Sequence, residues 1–530
     1  MDRHVFTITD MEFARRFLIY GREDGQYFVN SNVNLINEYS QQIHSIQRLI
    51  MSGRGKELVD EICTYSSEGR IPKHGPLLFA LAFCARSNDI QTKNAAYRSL
   101  AQVCTIPTHL FQFVYFAEAL SGETSGWGRA QRTAIAKWYN QTEFQKNPLK
   151  LLRLGSKYKR RHKFSHKDVL RLGHVAPETN HIAFVIKYLA KGKNGIQGFD
   201  ASDGIIKKAQ QFVLALEYAK QCTDDDLSRL CDLMKRHEFT HEYISTRHLN
   251  SPQVWQTILY IMPVKALIRH LGKISSMGLL TSGSLEEQHV ISRLRDTERL
   301  RRAKVHPFTL LTAWNSYKRG HSGFQRGFEW FVNQEIVNAL EIAFYESNSC
   351  VQATGRRILV AVDGSEVMML QPTNGMPDIS ARSLAVSTAF VMYKIQTNID
   401  VVLVTDHVVP IIFEEGENLE SASQKFSLNG TSLYCDLAMP INWAIENDKS
   451  FEAIVLLTTS TPHILAGATQ NPVDVMRLFR TQQGVPHARL VVVSMSGNKF
   501  TVADPNDLDM LTVIGLDSKA VTLIFDFIRG

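Results

Sequence analysis

From about residue 34 to residue 346, apolar side chains recur at intervals of three and four almost without a break, as in LLFALAFCARS, TKNAAYRSLAQVC, THLFQFVYFAEAL, QRTAIAKWY and IIKKAQQFVLALEYAKQC. That is the period of a helix with one buried face. Amphipathic helices that follow one another through short polar connections must bury those faces against each other, so the pattern predicts a stacked array. Start signals agree with it: Thr108 after Pro107, Ser165 before His166-Lys167-Asp168, Ser251 before Pro252, and Thr223 before three aspartates. No strict repeat is visible, but a helix pair roughly every 40 residues is the spacing of degenerate HEAT-type solenoids. Trp127 and Trp138 are expected as core anchors, one at a helix start and the other on its apolar period.

The pattern changes at Gly355-Arg356-Arg357. Short β-branched runs then alternate with helical stretches. Ile358 to Val362, Val401 to Val404, Ile454 to Leu457 and Leu490 to Val493 read as buried parallel strands, with helices near 380–395, 471–482 and 518–528. This predicts a doubly wound α/β domain, in which ligands bind beyond the carboxyl ends of the strands, here at Asp363, Gly364 and Ser365. A chain of 530 residues is too long for one core. Two domains are expected, a helical one over 1–350 and an α/β one over 356–530.

Charge divides along the same line. Residues 351–530 carry 12 Lys and Arg against 19 Asp and Glu, a net −7, so the chain's overall +7 leaves +14 on residues 1–350. A polyanion partner belongs to the first part. No apolar run approaches the 18 or so residues of a membrane span, and the start, MDRHVFTITDMEF, has no signal-peptide core. The expectation is an intracellular protein with no membrane contact. Seven cysteines without a C-x-x-C pair are expected to be reduced and mostly buried.

The basic charge concentrates between Lys146 and His174, where ten Lys and Arg face one acid, Asp168. Lys146, Lys150, Arg153 and Lys157 stand at i, i+4, i+7 and i+11, one stripe if the segment is a single helix. Beyond it comes the run Lys157-Tyr158-Lys159-Arg160-Arg161-His162-Lys163, then Lys167 and Arg171. Tyr158, Phe164, His162, His166 and His174 interleave stacking planes and donors with the charge, which suits RNA better than a merely solvated face. A nuclear localisation run or a solvated basic helix is the competing reading.

VFTITDMEFARRFLIYG, GRGKELVDEI, IPTHLFQF, WGRAQRTAIAKWYN, KYKRRHKFSHKDVLRLGH, HPFTLLTAWNSYKRGH and GNKFTVADPNDLDML, taken in this order, resemble the TROVE-domain family of Ro ribonucleoproteins over nearly the whole chain. The resemblance implies a ring of HEAT-like helical repeats, an α-solenoid, closed by a von Willebrand factor A-like domain. It also implies binding of small noncoding Y RNAs on the outer surface and of the single-stranded 3′ ends of misfolded RNAs in the central hole, in the cytoplasm and also the nucleus. Carried over by motif, the Y RNA contacts are Lys157 and Arg161 in KYKRRHK and His174 in RLGH. With the surrounding cations the RNA-binding set is Lys157, Lys159, Arg160, Arg161, Lys163, Lys167, Arg171 and His174.

The same family's second domain commonly carries a metal-ion-dependent adhesion site, Asp-x-Ser-x-Ser with a distant threonine and a later aspartate. Here Asp363 and Ser365 match within DGSEV, Val367 replaces the second serine, Thr431 in NGTS stands for the threonine, and the later aspartate falls near Thr459 in LLTTST. One carboxylate and two hydroxyls offer a divalent cation little charge to offset its dehydration. Asp363 is therefore expected as a strand-end residue held by backbone N–H groups. No Gly-rich phosphate loop, HExxH helix or nucleophile elbow appears, so no enzyme is expected. The alternative to RNA binding is a scaffold that recruits proteins through the solenoid and the A-like domain.

Overall fold

A computed structural model of the chain describes residues 8–30, 35–69, 71–122, 126–158, 160–322, 327–373, 376–459, 470–496 and 502–530. The helical periodicity is realised as successive helices between Leu35 and Glu346, each turning its apolar positions into a common core. Trp127 and Trp138 are buried, as expected; the Trp138 indole N–H donates to the Cys104 carbonyl at 2.5 Å. Start signals divide. Ser165 forms a full capping box with Asp168, and Ser251 precedes Pro252 at a first helical position. Thr108 is not a cap: Pro107 takes the first helical position and Ile106 the cap. Thr223 precedes a short 3-10 turn rather than an α-helix and makes no side-chain cap bond.

The strands are β1 (Gln26–Phe28), β2 (Ile358–Asp363), β3 (Pro372–Thr373), β4 (Met376–Ser380), β5 (Ile399–Val404), β6 (Val408–Pro410), β7 (Ala453–Thr458), β8 (Arg489–Ser494) and β9 (Met510–Ile514). Seven form one sheet in the order β1-β9-β8-β7-β2-β5-β6, parallel except at the β6 edge, while β3 and β4 form an antiparallel pair beside it. All four sequence-predicted strands are present, each a residue or two longer. Alternation along β2 supplies both faces. Ile358, Val360 and Val362 join the core shared with the helical array, whereas Leu359 and Ala361 join a second cluster with Ile441, Met476 and Phe479.

Both ends of the array seat on this sheet. At one end β1 adds beside β9, the Arg16 guanidinium donates to the Pro505 carbonyl at 2.6 Å and to the Asp507 carbonyl, and Lys519 reaches the Pro72 carbonyl at 3.0 Å. At the other, the helix Pro307–Lys318 packs on the helices Ala381–Ile395 and Ser518–Arg529. The α/β domain thereby closes the helices into a ring. Among the described residues no helix is long and apolar enough to cross a membrane.

Candidate nucleic-acid interface

The expected basic stripe is broken in the fold. Lys146 ends one helix, Asn147 interrupts the chain and caps the next through Lys150 N–H, and only Lys150, Arg153 and Lys157 share the helix Pro148–Lys157. Each of these three faces a carboxylate: Lys150 on Glu143, Arg153 on Glu238 at 3.2 Å, Lys157 on Glu242 at 2.9 Å. The stripe is largely neutralised before any ligand arrives.

Beyond Tyr158 the picture reverses. Lys159 lies outside the described residues. Arg161 and Phe164 exchange both backbone hydrogen bonds at 2.9 Å, and the two residues between them, His162 and Lys163, have φ of 49° and 69°. Positive φ at both central positions makes this a type I′ hairpin turn. Neither residue is glycine, so the turn holds backbone strain of about 1 kcal/mol per residue. Strain of this kind persists where surrounding structure enforces it, and it gathers at functional sites. Here the turn thrusts Arg160, Arg161, His162 and Lys163 into solvent. Arg160 and Arg161 spend one donor each on the carbonyls of Lys163 and Arg160, and the Lys163 ammonium lies 5.8 Å from the Tyr115 ring centroid. Tyr115 also sits 5.8 Å from the His162 ring. Sequence reading missed this aromatic: it comes from the helix Pro107–Ala119, about one solenoid turn earlier, where its position reads as core.

Lys167 and Arg171 follow at i and i+4 on the exposed face of the helix His166–Gly173. That helix ends in a Schellman arrangement, Val175 N–H donating to the Leu170 carbonyl, with His174 exposed in the left-handed conformation at φ 47°. Among the described residues no carboxylate lies within ion-pair distance of Arg160, Arg161, Lys163, Lys167 or Arg171. The acid of this segment, Asp168, is consumed by Ser165, which holds it below the ordinary carboxylate range. On the adjoining helix, Arg129 and Arg132 are exposed as well.

The histidines part company. His162, though on the surface, is held below the usual imidazole range by desolvation and by Arg161. His166, expected as a surface donor, is buried: its Nδ1 meets the Tyr139 hydroxyl at 2.7 Å, its ring packs edge-on against Phe111, and burial lowers its pKa to about 3. It is a neutral core residue and no RNA contact.

Glu242 yields a pH prediction. Burial alone raises this carboxyl, but the Thr240 hydroxyl and the Lys157 ammonium outweigh it and hold Glu242 down at about 2. A depressed carboxylate contributes stability above its unfolded value of about 4.3 and loses that contribution as pH falls towards the folded one. The thermal midpoint of Glu242→Gln is therefore expected to lie below wild type at pH 5, with the gap shrinking as pH falls below about 4 and closing only as it passes through about 2; parallel curves would remove the Lys157–Glu242 pair from the account.

At the sheet's carboxyl ends, Asp363 Oδ1 accepts from Ser365 N–H at 2.8 Å and Oδ2 from the Thr458 hydroxyl at 2.6 Å. The residue that meets Asp363 from β7 is thus Thr458 rather than Thr459. Cys435 is buried beside it, its thiol pushed well up by burial and then by the Asp363 charge. Val367 offers no oxygen, Thr431 is exposed on its loop, and the charge acting on Asp363's surroundings is the buried Arg382 guanidinium. Both carboxylate oxygens are occupied by protein donors, and the set does not fit a divalent cation. Among the described residues no group of three His, Cys, Asp or Glu side chains is arranged to hold a metal.

A helical ring closed by an α/β domain of von Willebrand type, with a cluster of unpaired positive charge on one hairpin and the helix after it, defines a class of protein. Comparison with known proteins gives the family. A TROVE domain model matches residues 1–209 and 225–320, and a Ro60 vWA domain model matches residues 357–528. The chain belongs to the TROVE family, with an A-type domain of the Ro60 kind. It is 28% identical to the RNA-binding protein RO60 of Caenorhabditis elegans, over 99% of this chain and 89% of that protein. To the RNA-binding protein RO60 of Deinococcus radiodurans it is 27% identical, over 99% of this chain and 94% of that one. The crystal structure of the Deinococcus radiodurans Ro (RSR) protein superposes with a TM-score of 0.83 at 26% identity, covering 98% of this chain and all of that one.

Proposed function

We propose that this chain binds RNA without catalysis, holding structured small noncoding RNA of the Y RNA kind on the surface around the 161–164 turn. Single-stranded 3′ ends of misfolded noncoding RNAs enter the hole of the ring, in a role in RNA stability and quality control in the cytoplasm and the nucleus. The observation that carries the reading is the strained turn that presents Arg160, Arg161 and Lys163 beside Lys167 and Arg171, all without carboxylate partners among the described residues, whereas Lys150, Arg153 and Lys157 on the preceding helix are each paired with an acid. Unpaired cations can release counterions from phosphates, whereas paired ones must first give up an acid. The Tyr115 and His162 rings add stacking surface, and the relatives' names point the same way. Phosphates and unpaired bases are what such a surface recognises in RNA, whose deep major groove side chains do not read.

The test is fluorescence anisotropy with a bulged small stem-loop RNA and with a duplex carrying a single-stranded 3′ tail, each at two salt concentrations. Both are expected to bind, more weakly at the higher salt. Failure of both to bind would discard the proposal in favour of a protein scaffold.

A further inference from the structure

The carboxyl-end face of the α/β domain is built from three loops laid side by side. Gly364 N–H donates to the Val404 carbonyl at 2.7 Å, Ser432 N–H to the Gly364 carbonyl at 3.3 Å and Glu366 N–H to the Ser432 carbonyl at 2.9 Å. The loops after β2 and β5 and the segment around Ser432 are therefore one surface. Large apolar side chains project from it: Leu370 is 81% and Leu428 85% exposed, and Met369, Leu433 and Tyr434 are exposed with them. Leu428 is tied to the rest through Phe426, whose carbonyl accepts from Arg382 at 3.1 Å. Single exposed leucines need no explanation, but a group of five around one loop cluster marks an interaction site.

The rim is acidic. Glu366 is exposed between the loops, and Asp406 stands on the β5 loop, its one ion pair among the described residues being with its neighbour His407. Glu414 and Glu415 are exposed towards the Leu428 end, where Lys425 joins Glu414 and Glu417 and donates to the Ile412 carbonyl. The other cation here, Arg382, is only 6% exposed, and one of its terminal nitrogens has no hydrogen-bond partner. Beneath the surface its charge and that of Asp363 attract each other. Among the described residues, the face thus combines an apolar centre with a rim on which Glu366, Asp406, Glu414 and Glu415 outnumber the accessible basic groups, His407 and the partly exposed Lys425. RNA is repelled by such a rim, and two copies of the chain would bring like charges together across a twofold axis.

We propose that this face docks a basic amphipathic segment of a protein partner, its apolar side on Leu370, Leu428, Leu433 and Tyr434 and its Lys or Arg side chains on Glu366, Asp406 and Glu414, without a divalent cation. This reading stands apart from RNA binding, which involves the other end of the chain's charge.

The probe is a fluorescein-labelled 18-residue helix of Leu and Lys with its leucines on one face, beside a peptide of the same composition scrambled so that the leucines are spread. With the full chain, the amphipathic peptide is expected to bind at least tenfold more tightly than the scrambled one, equally with EDTA or magnesium. Leu370→Ser with Leu433→Ser is expected to weaken it at least tenfold, and Glu366→Lys with Asp406→Lys to weaken it and flatten its salt dependence. Unchanged thermal midpoints and unchanged RNA affinity in the same variants exclude misfolding. Equal binding of the two peptides, insensitivity to both double substitutions, or loss of binding in EDTA would each overturn the proposal. So would a concentration-dependent dimer that the leucine substitutions abolish, since it would assign the face to a second copy.

Discussion

Replacing Arg161, Lys167 and Arg171 together by alanine is expected to lower the slope of log affinity against log salt by about 2, since each phosphate contact contributes roughly 0.7 to 0.9. Affinity for a stem-loop RNA should fall on the order of tenfold or more at moderate salt, while the thermal midpoint barely moves, because substitutions of exposed charges usually change stability by less than about 0.5 kcal/mol. Lys157→Ala is the informative contrast. That ammonium is already committed to Glu242 at 2.9 Å, so a phosphate must compete with a carboxylate for it. Its removal should change the salt slope less and stability more, since Glu242 is left half-buried without its cation. Salt titrations of the triple and single variants decide the matter. Equal slopes for wild type and the triple variant would move the RNA surface away from the 161–174 segment.

A second large effect is expected at Trp138. This side chain is wholly buried, edge-on to Tyr139 with ring centroids 5.0 Å apart and to Phe144 at 5.5 Å. Its indole N–H satisfies the Cys104 carbonyl, which ends the helix Ile90–Val103 two layers away along the chain. Trp138→Ala removes the packing, opens a cavity and orphans that carbonyl; large aromatic truncations of this kind cost about 3–5 kcal/mol. The urea midpoint followed by helical circular dichroism should drop accordingly. RNA affinity, measured well below the new midpoint, should change far less, because Trp138 has no exposed surface to offer a base. A loss of stability under about 1 kcal/mol would show that the neighbouring helices repack.

The helical half was readable because a buried stripe forces the period of 3.6 on each segment. The four central strands were readable because burial on both faces forces continuous β-branched runs, as in Ile358–Asp363, where every residue is buried. β1, β6 and β9 were missed for different reasons. β1 has three residues and pairs with a strand nearly five hundred positions away, β6 is a short antiparallel edge, and β9 carries Thr512, buried among aliphatics, in a run that begins among turn residues. Local pattern carries no signal for a partner so distant in sequence.

In the site, composition pointed to the right window, and the Ser165-x-x-Asp168 signature placed the start of its second helix. It did not separate free cations from paired ones. Ten basic residues against one acid looked uniform along the chain, yet Glu143, Glu238 and Glu242 fold back onto Lys150, Arg153 and Lys157 from outside that window. His166 and His162 stand four residues apart in the same motif. One is sealed against Phe111 and Tyr139 and the other is held on a turn, a difference made by the helix Pro107–Ala119 packing beneath them.

Periodicity, charge asymmetry and motif therefore carried the class of fold, the division between a basic helical part and an acidic α/β part, and the loss of oxygen ligands at Val367, because each of these is a local or summed property of the chain. Tertiary structure alone decided which cations remain free for a phosphate, which histidines reach solvent, that Thr458 rather than Thr459 meets Asp363, and that the ring is closed by β1 against β9. These depend on which side chains come within a few ångströms of one another across long sequence separations. Coulombic, hydrogen-bonding and packing energies are set by that distance and by exclusion of water, and neither is encoded at any single position.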